Sequence, residues 1–358
     1  MPLSLGNVEF YIGPHTLGAA DNLEETIVTF IDGTKETLDI AVQELECEPI
    51  ARAIVRARQR GVTIRMVLEG DYLRAEKAVS DPFNLTLEEK NDSNRYLISA
   101  LWRAGIEVRT DYNPKIFHQK FIVRDRDGTR AALLTGSANF TDTDTHTNLN
   151  HIVIIKGKSA ASEYAQEFAE IWDGTFGDKR LRHEPKPASF RVSKIGMKVV
   201  FAPDHMPEME IMKQMLKARE RIDFAIFTFA RSSGIDDAMI ALSKGGMPIR
   251  GIADAGQGNQ SWAASHDLAE NGIDFYLAGK SGTGLRKLHH KLIVIDGQVT
   301  IIGSFNYTEP ANLLNDENII VIGGLEETDP ESIEKQKAFG AHALAEIDRI
   351  IKKHGQKL

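Results

Sequence analysis

Along this chain, short apolar runs that suit buried strands alternate with longer mixed stretches that suit helices. Leu23–Phe30 reads as a helix, Thr37–Val42 as a strand, Pro49–Arg60 as a helix and Thr63–Leu68 as a strand. Asn94–Ala104 follows as a helix and Glu107–Thr110 as a short strand; further on, Ile152–Ile155 reads as a strand and Ser159–Trp172 as a helix. Strands and helices taken in turn predict a layered α/β fold.

The pattern occurs twice. Tyr11-Ile-Gly-Pro14 matches Val200-Phe-Ala-Pro203, and Glu36–Val42 matches Glu220–Ile226. Arg60–Arg65 matches Gly245–Arg250, and Gly105–Val108 matches Gly272–Phe275. A repeat this long is a duplicated domain rather than a solenoid array. The predicted division is an N-terminal lobe over 1–177, a linker over 178–198 and a C-terminal lobe over 199–358. The linker is basic, with Lys179, Arg180, Arg182, Lys186, Arg191, Lys194 and Lys198. It reads as a solvated connection, or as a nucleic-acid path where it borders a cleft. An insertion at Tyr72–Arg95 in the first half reads as a surface loop able to cover a cleft.

Each half ends in the same constellation. The first holds His118, Lys120, Asp125, Gly136, Ser137 and Asn139; the second holds His289, Lys291, Asp296, Gly303, Ser304 and Asn306. Leu288–Ile295 reads as one strand ending in an Asp-Gly turn, with Val299–Ile302 (Ala131–Thr135 in the first copy) returning beside it. Residues two apart in a strand share a face, so His and Lys project together. One His, Lys, Ser and Asn make half of a phosphate site, and two halves facing each other make a whole one.

These residues resemble the HxKxxxxD…GSxN signature of the phospholipase D superfamily, present here in two copies with matching internal offsets. The resemblance covers essentially the whole chain. It implies two similar lobes, each a mixed sheet flanked by helices, around a central cleft. It also implies a metal-independent phosphodiesterase that works through a phosphohistidine. One His attacks phosphorus, and the other protonates the leaving oxygen and then activates water. Lys120, Lys291, Asn139 and Asn306 are expected to hold the non-bridging oxygens. Ser137 and Ser304 are expected to support them, and Asp125 and Asp296 to fix turns.

In the superfamily an acidic residue after the second motif strand commonly orients the motif His. Glu317 stands there in the second half and Asn150 at the equivalent place in the first. Pairing within each half places Glu317 beside His289 and Asn150 beside His118, which raises the His289 pKa and suits it as the acid. Superfamily habit likewise favours His118 as the nucleophile. A carboxylate that steadies a phosphohistidine argues the other way, so the sequence leaves the choice open.

Composition adjusts this reading only slightly. The chain has 358 residues, 42% hydrophobic and 26% charged, ordinary values for a globular protein. A net charge of −8 disfavours non-specific coating of nucleic acid but allows a local basic groove. The single Cys47 excludes an intramolecular disulfide and points to a reducing compartment. The opening MPLSLGNVEFY lacks the features of a secretory signal, and no apolar run is long enough to span a bilayer. The expectation is a cytoplasmic enzyme with no cofactor, for which a monomer suffices. Asp142, Asp144, His146 and His151 crowd one segment as a metal cluster would, but read as a polar loop entering a strand. Gly279-Lys280-Ser281 imitates a nucleotide-binding loop without its upstream Gly or following helix. The leading expectation is a nuclease acting on DNA or RNA. The alternative is a phospholipase D or a cardiolipin synthase-like phosphatidyltransferase acting on phospholipids, and a third reading is an inactive binding scaffold.

Overall fold

The computed structural model describes residues 2–75, 77, 81, 83, 91–177, 186–279 and 282–358. Half of the Tyr72–Arg95 insertion, residues 178–185 of the linker, and Lys280 and Ser281 lie outside the described residues. The first sheet is built from β1 (Leu3–Leu5), β2 (Val8–Gly13), β3 (Thr37–Val42), β4 (Thr63–Leu68), β5 (Glu107–Thr110), β6 (Lys120–Arg124), β7 (Ala132–Gly136) and β8 (Asn148–Lys156). The second is built from β9 (Ser189–Val192), β10 (Ile195–Ala202), β11 (Ile222–Ile226), β12 (Ile249–Asp254), β13 (Asp274–Ala278), β15 (Lys291–Ile295), β16 (Val299–Gly303), β17 (Glu317–Ile322) and β18 (Gly355–Lys357), with a short β14 (Lys287–Leu288) set apart from it.

The two sheets share one topology. The first runs β1-β2-β8-β7-β6-β3-β4-β5 and the second β9-β10-β17-β16-β15-β11-β12-β13, with β18 added at the far edge. In each, the first two strands of the helix-connected half pair in parallel (β3 with β4, β11 with β12), and the motif hairpin pairs antiparallel (β6 with β7, β15 with β16). The duplication read from the sequence is thus a duplication of sheets. It extends upstream of the predicted boundary: β9 and the start of β10 fall within the stretch expected to be a linker, and they correspond to β1 and β2.

Three cores hold the layers together. One lies under the outer helices of the first lobe, around Ile27, Ile54, Met66 and Leu134; its counterpart in the second lobe surrounds Ile211, Met239, Phe275 and Ile301. The third is shared, drawing Phe121, Val153 and Phe168 from the first lobe together with Phe201, Ile302, Phe339 and Ile347 from the second. The helices Lys158–Trp172 and Pro330–His354 contribute to it through Ala161, Tyr164, Phe168, Ala343, Ile347 and Ile350, residues spaced three or four apart along one face. Burying one large apolar side chain contributes about 1.5–3 kcal/mol. A core shared by both sheets therefore fixes how the lobes dock, and with that the relation between the two motifs.

Candidate active site

At both motifs the backbone crosses from one lobe to the other. The run Leu288–Ile295, expected to be one strand, is broken at His289-His290. Before the break β14 pairs in parallel with β8 of the first lobe, Lys287 opposite Asn148 and Leu288 opposite Leu149; after it, Lys291 starts β15. The His289 N–H donates to the Leu149 carbonyl at 2.9 Å. The first motif mirrors this. Phe117 bridges Asp316, the His118 N–H donates to the Asp316 carbonyl at 3.0 Å, and β6 begins at Lys120. Each motif His therefore sits at the seam, held by the other lobe's backbone.

The Gly before each motif Ser is required by this packing. A Cβ on Gly136 would lie 2.2 Å from the His151 carbonyl oxygen, and one on Gly303 would lie 2.2 Å from that of Asn318. Nothing larger lets β7 approach β8, or β16 approach β17, closely enough. Ser137 Oγ then donates to Asn150 Oδ1 at 2.8 Å and Ser304 Oγ to Glu317 Oε2 at 2.6 Å.

The histidine partners are crossed relative to expectation. His118 Nδ1 lies 2.7 Å from Glu317 Oε2, and His289 Nδ1 lies 3.0 Å from Asn150 Oδ1. The pairing expected within each half is wrong because the lobes dock so that β17 runs behind His118 and β8 behind His289. Ser304 and His118 converge on the same Glu317 oxygen, a geometry that fits the ionised carboxylate. Burial nevertheless pushes Glu317 up to about 8, against the pull of Lys120, Ser304, Lys291 and Asn315. His118 is driven well below its usual 6.5 by burial and then by Lys120 and Lys291. His289 is driven the same way by burial, Lys291 and Lys120.

Both motif lysines are buried and reach back to the carbonyl of their own motif His, Lys120 at 2.9 Å and Lys291 at 3.0 Å. Burial lowers Lys120 to about 8 and holds Lys291 well below its usual value. Two histidines and two lysines gathered this closely, each disfavouring charge on the others, form a site suited to an anion.

A cavity of about 530 Å³ opens over these groups, and His118, His289, Asn139 and Asn306 form part of its wall. Tyr72, Ile116, Phe227, Trp262 and Pro310 supply its apolar surface; among the described residues Lys287 and Glu44 are its remaining charged side chains. A larger cavity of about 680 Å³, beside Tyr11, Arg124 and Lys156 in the first lobe, contains no motif residue and is set aside. Tyr72 is the described residue through which the insertion reaches the cleft; its hydroxyl accepts from Gln43 Nε2 at 3.3 Å.

Asp125 and Asp296 hold the turns after the motif strands. Asp125 accepts from the backbone N–H of Lys35, Glu36 and Thr37, and Asp296 from those of Arg219, Glu220 and Arg221. The segment expected to be a polar loop splits. Asp144 is buried, accepts from the Asn139 N–H at 2.6 Å, and lies 3.7 Å from His289 Nδ1. His151 stacks on His290 with ring centroids 5.3 Å apart, while Asp142 and His146 lie elsewhere, near Glu24 and Cys47. Three of the four described basic residues of the linker are bound at the sheet edge: Arg191 pairs with Glu327, Lys194 with Glu331 and Lys198 with Glu210, while Lys186 is exposed.

Sequence reasoning missed Asp144 as a neighbour of His289, and it missed Gln43, Phe227 and Lys287. The repeat alignment held the signal for two of these, since Gln43 and Phe227 directly follow the matched strands ending at Val42 and Ile226.

Among known proteins, a family model described as the phospholipase D-like domain of cardiolipin synthase matches residues 27–172 and 211–332. The mitochondrial cardiolipin hydrolase of Xenopus tropicalis is 30% identical over 44% of this chain and 63% of its own length. The human protein of the same name is 26% identical over 45% of this chain and 53% of its own. The match thus spans little more than half the length of these relatives. The phosphatidylserine synthase of Haemophilus influenzae superposes with a TM-score of 0.69 at 13% identity, covering 100% of this chain and 89% of that one, which is a likeness of fold. Among the described residues no helix is long and apolar enough to cross a membrane. Because the family model spans both copies of the motif and most of each lobe, the chain belongs to the phospholipase D superfamily, a superfamily of phosphodiesterases.

Proposed function

We propose that this protein hydrolyses the headgroup phosphodiester of a phospholipid through a phosphohistidine on His118. The chemistry rests on the crossed pairing. Glu317 accepts a hydrogen bond from His118 Nδ1–H, which keeps the ring proton on Nδ1 and leaves Nε2 with its lone pair for the cleft, the tautomer a nucleophile needs. The Nε2 lone pair forms a bond to phosphorus while the bond from phosphorus to the leaving oxygen breaks. That oxygen takes its electron pair and a proton from His289. His289 is hard to protonate in the free cleft, but the bound phosphodiester is an anion and raises its pKa. Water then attacks phosphorus and gives a proton to His289, and the N–P electron pair returns to His118. Lys120, Lys291, Asn139 and Asn306 hold the non-bridging oxygens. Ser137 and Ser304 keep the two partners of the histidines in place.

The observation that carries the substrate class is the cleft rim. Ile116 and Trp262 are 44% and 42% exposed, with Tyr72, Phe227 and Pro310 beside them and, among the described lining residues, one unburied cation, Lys287. A polymer held by its backbone needs several phosphate contacts. A lipid headgroup needs one, beneath an apolar rim. The names of the curated relatives fit this reading.

A nuclease is the second reading, favoured by the same aromatics, since Tyr72, Phe227 and Trp262 could stack bases. It draws little support from the basic linker, where Arg191, Lys194 and Lys198 are engaged in ion pairs elsewhere. The test is a substrate panel in excess EDTA: vesicles of phosphatidylcholine or cardiolipin, single- and double-stranded DNA, and RNA. Vesicle hydrolysis is expected to lead and to depend weakly on salt. Faster cleavage of nucleic acid, falling steeply with salt, would reverse the order of the two readings. Activity lost in EDTA and restored by a divalent ion would count against the two-histidine mechanism itself.

A further inference from the structure

Outside the cleft, three elements of the first lobe bring together four side chains that ligate metals. Glu24 lies in the first turn of the helix Leu23–Asp32, and Cys47 precedes the helix Glu48–Gln59. Asp142 and His146 begin and end the helix Asp142–His146. One ligand atom from each of Glu24, Cys47 and Asp142 lies within 4.8 Å of the others. Cys47 Sγ is 3.4 Å from Glu24 Oε2, and His146 Nε2 is 3.9 Å from the same carboxylate oxygen. His146 Nδ1 is engaged by the Asp142 carbonyl at 3.2 Å and by Thr145 Oγ1 at 2.9 Å. That leaves Nε2 as the lone-pair nitrogen, the way a ligating histidine is oriented by its surroundings.

We propose that Glu24, Cys47, Asp142 and His146 form a structural Zn²⁺ site. A tetrahedral zinc with bonds of about 2.0–2.3 Å sets its ligand atoms about 3.3–3.7 Å apart. The separations of 3.4 and 3.9 Å are close to these values, whereas His146 stands outside the trio whose ligand atoms all lie within 4.8 Å of one another, so its side chain must swing inward for the fourth bond. A thiolate and an imidazole select zinc over the hard cations that take oxygen ligands. Cys47 is fully buried but Asp142 is exposed and His146 partly so, which gives the ion a way in. Without an ion the thiol is held protonated by burial and by the two carboxylates. A bound zinc would join the short helix Asp142–His146 to two longer ones. Asp144 on that helix holds Asn139 and lies near His289, so the ion would brace one wall of the cleft without entering it.

The test uses chelator-treated full-length protein titrated with Co²⁺ as a spectroscopic probe and then with Zn²⁺. One Co²⁺ per chain should bind with a thiolate charge-transfer band, and Zn²⁺ should displace it and raise the melting temperature. Cys47→Ser should abolish the band, and His146→Gln, at a partly exposed position, should weaken binding by about tenfold or more. The cleft histidines offer no thiolate, so a band-free complex would mark binding there instead. Absence of binding, binding without the band, or unchanged affinity in His146→Gln would each overturn the proposal.

Discussion

The two halves of the cleft are built from equivalent positions on equivalent strands and share the His, Lys, Ser and Asn of the motif, yet they differ in the partners set behind those residues. Behind His118 stands a carboxylate, Glu317, at 2.7 Å. Behind His289 stands an amide, Asn150, at 3.0 Å, with the Asp144 carboxylate further off at 3.7 Å. Lys120 is met by the Gln43 carbonyl at 3.1 Å, whereas Lys291 lies 5.1 Å from the centre of the Phe227 ring. Two residues before each motif His stand Ile116 and Lys287. A symmetric fold has thus been given an asymmetric site, as a reaction with one attacking and one proton-donating histidine requires. Docking the lobes face to face supplies the crossing, and substitutions at a few equivalent positions supply the difference.

The largest test of that difference separates the histidines by leaving group. His118→Ala and His289→Ala should each lower hydrolysis of an alkyl phosphodiester by roughly 10²–10⁴-fold, with the double variant scarcely worse. On a nitrophenyl phosphodiester, whose leaving group departs without a proton, His289→Ala should recover much of its first-step rate while His118→Ala stays inactive. A burst of nitrophenol measured by rapid quench reads the first step. Recovery in His118→Ala instead would exchange the two roles.

A smaller effect is expected at Glu317, and its sign follows from where the proton sits. Burial raises this carboxyl to about 8, and its ionised form accepts hydrogen bonds from both Ser304 Oγ and His118 Nδ1–H on one oxygen. The kcat/KM of the wild type should therefore rise with pH through about 8. Glu317→Gln should be slower by roughly tenfold or more and should lose that limb. Stability should move oppositely. A carboxyl whose folded pKa lies above its unfolded value binds more protons when folded, so it subtracts stability as pH rises from about 4.5 toward 8. Glu317→Gln should consequently melt higher than the wild type above pH 8 while catalysing more slowly. A variant less stable than the wild type at every pH would show Glu317 to be structural. Asn150→Asp is the mirror experiment: it adds a carboxylate behind His289, raises that histidine's pKa and should carry activity to higher pH.

Much of this architecture was legible in the chain. β3, β4 and β5 coincide with the runs read as strands; β3 and β4 are mostly buried and rich in apolar residues, as strands inside a parallel segment are, while β5 is a short edge strand whose polar residues alternate with Val108. The motif offsets picked out both histidines and both asparagines, which line the cavity, and two lysines buried near them. What the sequence could not show is which element of one lobe lies behind the histidine of the other. That depends on the shared core, which joins residues such as Phe10 and Phe339 across most of the chain's length. The break at His289-His290 escaped for the same reason: locally the run is strand-like, and only pairing with Asn148 and Leu149 splits it. We propose that the second lobe begins at Ser189, since β9 and β10 repeat β1 and β2. Its basic composition had suggested a linker, but Arg191, Lys194 and Lys198 form ion pairs along the sheet edge.

The smallest predicted effect concerns how each lysine keeps its charge. Lys120 has an amide oxygen for a partner and is lowered to about 8, so phosphate binding that depends on it should weaken as pH rises past that value. Lys291 lacks such an oxygen at the equivalent place and lies near the Phe227 ring, whose π-face favours a cation. That interaction contributes about 0.5–2 kcal/mol, or roughly a two- to thirtyfold change in affinity. Phe227→Leu should therefore raise KM by that factor with a smaller change in kcat, and should shift the onset of weakened binding to lower pH. Phe227→Gln copies the Gln43 arrangement and should restore much of the loss by giving Lys291 a carbonyl. KM measured across pH for the three proteins separates a charge effect from simple loss of packing, because packing alone would leave Gln no better than Leu. If both variants bind substrate as the wild type does, the aromatic face plays no part in holding the lysine charged, and Phe227 belongs to the cleft wall alone.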